Sequence, residues 1–283
     1  MLKTVKEVLT LCVDYLKAKD PSFSRRNAED LLAFVLGIKR LDLYLNFDRP
    51  LEEEELAKIR QGLKRLSQHE PIQYIEGFVT FSSCKIKVDK SVLIPRPETE
   101  LLVHKIIDEL KNEDLQSKPK MLLDLCSGSG YIGIAIKKEL SELSVILSDI
   151  SEQAVAISQE NAKINQVDVS ILQGDLFAPL NGKKVDFLIC NPPYLAEHEF
   201  STLDPSVKNY EPKRALVAGP TGLELYEKIA KEMKLYVNER AWFEIGTGQG
   251  QVLRKLFTDA GYNKVSFEKD LSGHDRFLMV GIA

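Results

Sequence analysis

The chain has 283 residues, 44% of them hydrophobic, and a formal net charge of −4, enough for one full α/β core with a smaller second domain at about 100–200 residues per domain. No apolar run approaches the roughly 20 residues of a membrane span, and Lys and Asp interrupt the N-terminal segment where a signal peptide would be apolar, so a cytoplasmic location is expected. The acidic balance speaks against nucleic acid as the main substrate, and four cysteines without a C-x-x-C pair and four histidines without ligand spacing speak against a metal site or a disulfide framework.

From residue 2 to about 68 the pattern is helical. Leu2, Val5, Leu9, Cys12 and Leu16 form one stripe, and Ala28, Leu31, Leu32 and Val35 form another that Gly37 closes. A third helix is expected after Pro50, where a run of glutamates suits the first turn and Lys64 and Arg65 the last. These helices predict a small all-α domain over 1–70. Pro71 ends it. Two short strands around Ser82-Ser83 and an extended Pro95-x-Pro97 segment then predict a hairpin linker over 71–95, and a helix from about Glu98 opens the remaining region, 96–283.

Strand and helix patterns alternate through that region. MLLDL (121–125) precedes a helix from Gly130; SVILSD (144–149) precedes a helix over 151–165; VDVSIL (167–172) and VDFLIC (185–190) follow. A helix over 222–237, the strand AWFEI, a helix from Gln249 and two closing strands near enough to be antiparallel complete the chain. Alternation of this kind predicts an α/β fold with a mostly parallel sheet and helices on both faces.

Two strand exits carry the chemistry. LLDLCSGSGYIG places Cys126, Ser127, Gly128, Ser129 and Gly130 between a strand and a helix, where missing Cβ atoms and free N–H groups let a ligand with a negative group approach. Gly128, Gly130 and Gly133 also spell the dinucleotide fingerprint, with Asp149 at the ribose position, so a nicotinamide-dependent oxidoreductase is a remote alternative. Asp124 before the turn and Asp175-Leu176 after the third strand favour S-adenosylmethionine instead: the first could meet its α-amino group, the second lies beside the adenine position. At the fourth strand exit stand Asn191, Pro192, Pro193 and Tyr194. Two prolines fix successive φ angles and remove two donors, leaving a stiff bracket of acceptor carbonyls, with the tyrosine as an aromatic plate. An ordinary loop with two turn prolines is the simpler reading of that stretch alone.

With these residues the chain resembles the class I S-adenosylmethionine-dependent methyltransferases that act on planar nitrogens. EPIQYIEGFVTF (70–81), VLIPRPETELLV (92–103), NYEPKRALVAGPTGLELY (209–226), WFEIGTGQG and DLSGHDRFLMV resemble the release factor glutamine methyltransferases, the PrmC/HemK family, along the whole chain. The resemblance implies a Rossmann-like, mostly parallel seven-stranded sheet with an antiparallel strand at the C-terminal end, a helical substrate-docking domain, and a catalytic domain over 96–283. It also implies methylation of the glutamine of the Gly-Gly-Gln motif in peptide chain release factors by a monomeric enzyme without a metal. A DNA or RNA amino-methyltransferase is the alternative.

On this reading Asp124, Cys126 to Gly130, Asp149, Asp175, Leu176 and Asn191 hold the cofactor. Asn191 to Tyr194 are catalytic and, with Leu195, hold the substrate. Arg96, Pro97 and Thr99 lie over the cofactor, although capping of the helix they open explains Pro97 and Thr99 equally well. One departure stands out. The family's glycine turn usually begins Gly-Thr-Gly, and here Cys126 takes the first place; it is expected to pack beneath the methionine moiety and not to act as a nucleophile, and Cys190 is expected in the core.

Overall fold

The computed structural model describes residues 3–282; Leu2 of the first stripe lies outside the described residues. The chain up to Gly77, together with Asp204–Tyr210, forms one compact unit, and Phe78–Leu203 with Glu211 onward forms another.

The first unit is built on α1 (Val5–Lys19), α2 (Arg25–Leu36), α3 (Glu53–Leu66) and α4 (Ile72–Glu76). Each long helix starts where its sequence supplies a cap. Thr4 and Glu7 close a capping box on α1, and the Glu55 carboxylate accepts the Glu52 N–H at 2.9 Å, so part of the acidic run caps α3. Gly37 ends α2 in the left-handed region (φ 64°). Val5, Leu9, Cys12, Leu16, Ala28, Leu31 and Leu32 share one core, as the two stripes require. Helix α4 opens the segment that was expected to be a hairpin linker. Pro71 starts it and Gly77, at φ 77°, stops it, so one helical turn fits between the two and Tyr74 is buried from it.

The second unit begins with the hairpin β1 (Phe78–Phe81) and β2 (Cys84–Lys87), antiparallel around Ser82-Ser83. Its outer edge is not left open. Asn161 accepts the Lys87 N–H at 2.7 Å and donates to the Lys87 carbonyl at 3.0 Å, and Asn165 does the same for Lys85. Two helix side chains thus take the part of a neighbouring strand, and they tie the hairpin to this unit.

Helix α5 (Pro97–Leu110) follows, then β3 (Met121–Leu125), α6 (Tyr131–Glu139), β4 (Ser144–Asp149), α7 (Glu152–Asn165), β5 (Ser170–Gln173) and β6 (Val185–Cys190). After β7 (Leu195–Ala196), α8 (Pro205–Lys208), which belongs to the first unit, and β8 (Val217–Gly219) come α9 (Glu224–Tyr236), β9 (Val237–Glu244), α10 (Gly250–Asp259), β10 (Lys264–Lys269) and β11 (Asp275–Gly281). The main sheet has seven strands in the order β10-β11-β9-β6-β3-β4-β5. β3, β4, β5, β6 and β9 run parallel, and β11, the last strand, is antiparallel to both neighbours. The mostly parallel seven-stranded sheet expected from the sequence is therefore present.

Alternate residues explain why these strands read as continuous apolar runs. Leu123, Leu125, Leu188, Cys190, Ala241 and Phe243 join Tyr226, Ile229, Met233 and Phe257 of α9 and α10 in one core, while the intervening Leu122, Phe187, Ile189 and Trp242 are buried as well. Both faces are covered, as parallel strands need. β3 and β6 are neighbours although β4 and β5 lie between them in sequence, so the chain order reverses there and opens a crevice at the strand ends.

Candidate active site

A cavity of about 330 Å³ opens at those strand ends. Leu125, Cys126 and Gly128 line it from the β3 exit, Ser148 to Ser151 from the β4 exit, Gly174 to Leu176 after β5, and Asn191 and Pro193 after β6. The two chemical strand exits singled out by sequence thus meet in one place. The register does this: Cys190 pairs with Leu125 on one side and Phe243 on the other, which sets Asn191 between the glycine turn and the end of β9.

The turn is shaped for a close approach. Gly128 has φ 56°, and a Cβ built there would meet nothing within 4 Å, so the backbone faces the cavity. Gly130 has φ 77°, and a Cβ would come within 2.8 Å of Leu147 and 2.9 Å of Ser158, so only glycine lets α6 start this close to its neighbours. Cys126 keeps the same kind of backbone, φ 59°, at the place where glycine is usual. A left-handed non-glycine residue costs of order 1–3 kcal/mol. The Cys126 side chain packs against the core cluster that contains the fully buried Cys190.

Asp149 is fixed by the same turn. One oxygen accepts the Gly128 N–H and the other the Ser151 N–H, both at 2.8 Å. Burial raises its pKa, opposed by those N–H groups and by Arg214. Ser148 also lines the cavity, and its buried hydroxyl has no partner among the described residues. A carboxylate with lone pairs to spare, an open glycine backbone and an uncommitted hydroxyl fit a ligand carrying hydroxyls and charge of both signs. Among the described residues no group of three or more His, Cys, Asp or Glu is placed to hold a metal ion, and no helix is long and apolar enough to cross a membrane.

Several expected site residues stand elsewhere. Asp124 does not line the cavity: it is fully buried, with one oxygen accepting the Gly133 N–H at 2.8 Å and the other without a partner among the described residues. It anchors α6 from below. Burial raises its carboxyl from 3.8 to about 8, the Gly133 N–H opposing and Asp149 adding to the rise. A carboxyl that the fold keeps protonated favours folding below its unfolded pKa and loses that advantage as pH climbs toward the folded value. Its contribution should therefore fall between about pH 4 and about pH 8, and Asp124→Asn is expected to flatten that fall when urea denaturation is followed across the range.

Ser127, Ser129 and Gly130 belong to the turn but not to the cavity wall, because their side chains or backbone are packed against the core. Pro192 is buried, and no donor among the described residues takes its carbonyl. Tyr194 stands behind the bracket. Burial pushes its hydroxyl up to about 12, and its carbonyl accepts Gln249 Nε2 at 2.9 Å. Leu195 pairs with Val217 in the small parallel pair β7 and β8, its N–H donating to the Leu216 carbonyl at 2.9 Å.

Arg96, Pro97 and Thr99 do not line the cavity either. Arg96 is drawn to the buried Glu211 at 2.5 Å; burial opposes its charge, but Glu211 outweighs burial and raises the guanidinium pKa. Pro97 is the first residue of α5, and Thr99 is buried with its hydroxyl on Glu244 at 2.6 Å. The stretch that does reach the cavity is Ser91 to Leu93. Tyr131, Ile150, Arg214 and Lys228 also line it and were not singled out from the sequence. Tyr131 and Ile150 directly follow Gly130 and Asp149, and Arg214 lies in the quoted stretch 209–226, so adjacency to those motifs was a usable signal; Lys228 stands just beyond that stretch and had none.

Comparison with known proteins agrees with this geometry. The Methyltransferase small domain family matches residues 98–205 and the PrmC N-terminal domain family matches residues 7–77. The release factor glutamine methyltransferase of Thermodesulfovibrio yellowstonii is 37% identical over 262 residues, 92% of this chain and 93% of that one. The protein of the same name from Chlamydia trachomatis serovar D is 38% identical over 279 residues, 98% of this chain and 93% of that one. A methyltransferase crystal structure from Pyrococcus furiosus shares the fold with a TM-score of 0.52 at 14% identity, covering 79% of this chain and 98% of that one.

Proposed function

The chain belongs to the release factor glutamine methyltransferases, and on that premise we propose that it methylates the side-chain amide nitrogen of the glutamine in the Gly-Gly-Gln motif of class 1 peptide chain release factors. The observation that carries this reading is Asn191 at the cavity wall, with its Nδ2 donating to the Tyr131 hydroxyl at 3.2 Å and its Oδ1 without a partner among the described residues. The methyl donor is S-adenosylmethionine, whose sulfonium supplies an electrophilic methyl group. Gly128, Asp149, Ile150, Asp175 and Leu176 are the residues that would hold it.

The remaining chemistry belongs to the chain. An amide nitrogen is a poor nucleophile because its lone pair is delocalised into the carbonyl. Asn191 Oδ1 and the Pro192 carbonyl each accept one N–H of the glutamine side chain, which fixes the direction of the lone pair. Positioning of this kind supplies up to about 7–11 kcal/mol of a barrier, and the two prolines keep the acceptor rigid so that nothing reorganises during reaction. Tyr194 gives the bracket its aromatic wall. No carboxylate of the bracket serves as base, and the proton leaves to water after transfer. The helical unit provides the release factor docking surface, and the enzyme acts as a monomer.

Tritium transfer from labelled S-adenosylmethionine into a purified release factor, with DNA and RNA as parallel acceptors, tests this reading. Label is expected in the release factor, on the glutamine nitrogen. Label confined to nucleic acid would replace the proposal with a DNA or RNA amino-methyltransferase.

A further inference from the structure

Two walls of the cavity come from segments outside the main sheet. Ser91, Val92 and Leu93 form one, and Arg214, Ala215, Val217 and Ala218 form the other. Far apart in sequence, the two are joined by Glu211. Its side chain is buried; Oε2 accepts the Ile94 N–H at 3.1 Å and Oε1 accepts the Arg96 guanidinium at 2.5 Å. Neither Glu211 nor its two partners lines the cavity, so these bonds reach a ligand through the walls they hold.

Each end of the clip moves with its wall. On one side Ile94 directly follows Leu93, and Pro95 and Pro97 fix the backbone beyond it. Arg96 precedes the first residue of α5, and α5 is fastened to the end of β9 by the Thr99 hydroxyl on Glu244 at 2.6 Å. That side is anchored. On the other side Pro212 follows Glu211, and its carbonyl accepts the Ala215 N–H at 2.8 Å, closing the turn that brings Arg214 to the cavity. The far end of this wall is β8, paired with β7, which starts directly after Tyr194. The wall is thus tied to the Asn-Pro-Pro-Tyr exit by backbone pairing and to the Ser91–Leu93 segment by the Glu211 carboxylate.

We infer that Glu211 is a positioning residue whose two hydrogen bonds keep these walls closed on the cofactor and so set how long it stays bound. A carboxylate has an oxygen for each of the two donors. The glutamine amide has one oxygen and an NH2 that would face a donor, so one of the two links must break. The inference rests on S-adenosylmethionine as the ligand of the cavity and adds what retains it.

Glu211→Gln tests it. Tritiated S-adenosylmethionine, diluted into unlabelled cofactor, should leave this variant about 10-fold faster than the native enzyme, as expected if the closed walls are populated about a tenth as often. KM for the cofactor should rise to the same extent, with kcat on a release factor at saturation within about threefold of native. In the cofactor-free protein, amide hydrogen exchange should quicken at 91–94 and at 214–218 together. A merely structural defect would quicken exchange around position 211 alone and lower kcat.

Arg96→Met cuts the link from the other side and leaves the Glu211 carboxylate without its cation, so cofactor release should quicken at least as much. Arg96 is about a third exposed, which makes this the variant to read if Glu211→Gln does not fold. Adding Glu211→Gln to Arg96→Met should quicken release no further, because the link is already gone. Arg96→Lys, with a cation still in reach, should recover most of the residence time lost in Arg96→Met. Native release in Glu211→Gln, or release rates that multiply in the double variant, would overturn the clip while the cofactor reading stands. A native enzyme that retains no S-adenosylmethionine would overturn both.

Discussion

Asn191→Ala is expected to lower kcat on a release factor by about 100- to 1000-fold under saturating cofactor, with a far smaller change in S-adenosylmethionine affinity. The substitution removes one acceptor aimed at the reacting nitrogen, and loss of one preorganised hydrogen bond at a developing transition state has about that cost. The glycine turn and Asp149 are untouched, since their mutual bonds do not involve Asn191. Asn191→Asp sharpens the test. It keeps an acceptor of the same shape, but it has no NH2 for the Tyr131 hydroxyl, which receives Asn191 Nδ2 in the native chain. The added carboxylate also brings negative charge toward the sulfonium, which can tighten cofactor binding without restoring alignment. Partial activity at best is expected. Near-native kcat in Asn191→Ala would return Asn-Pro-Pro-Tyr to the status of a turn.

The strand exits were legible because each is written in a few adjacent residues. Gly128 and Gly130 announce a left-handed turn, and Pro192-Pro193 a rigid exit, before any tertiary contact is known. What holds these motifs together was not legible. Thr99 and Glu244 are 145 residues apart, and Arg96 and Glu211 are 115 apart; such pairs leave no periodicity in a window of ten or fifteen residues. That distance is why Arg96 and Thr99 were read as cofactor cover: their motif was visible and their buried partners were not. Asp124 was misplaced for a related reason. A carboxylate beside a glycine turn looks like a ligand, and only the packing of Gly133 on it shows that it serves α6. β7 and β8, at two and three residues, are too short to show alternation. Helix α4, a single turn of five residues, is too short to show a helical period and was absorbed into the hairpin linker, although Pro71 and Gly77 marked both its ends.

Asp149→Ala is expected to weaken S-adenosylmethionine binding by about 10- to 150-fold, the loss of a charge-assisted acceptor worth roughly 1.5–3 kcal/mol. The structure gives this carboxylate a second task that the experiment has to separate. Its oxygens already accept the Gly128 and Ser151 N–H groups, so the substitution also frees the turn that faces the cavity and the first turn of α7. Thermal unfolding of the cofactor-free protein isolates that part: a loss confined to affinity assigns Asp149 to the ligand, and an equal loss of stability assigns it to the turn. Asp149→Asn divides the two further. Its single oxygen keeps one of the two N–H bonds, while the charge that the ribose hydroxyls would meet is gone. Affinity in Asp149→Asn should therefore fall almost as far as in Asp149→Ala, with stability closer to that of the native chain. Calorimetry showing unchanged affinity in both variants would remove Asp149 from the binding site, because a charged acceptor at the β4 exit cannot contact the cofactor and be dispensable to it.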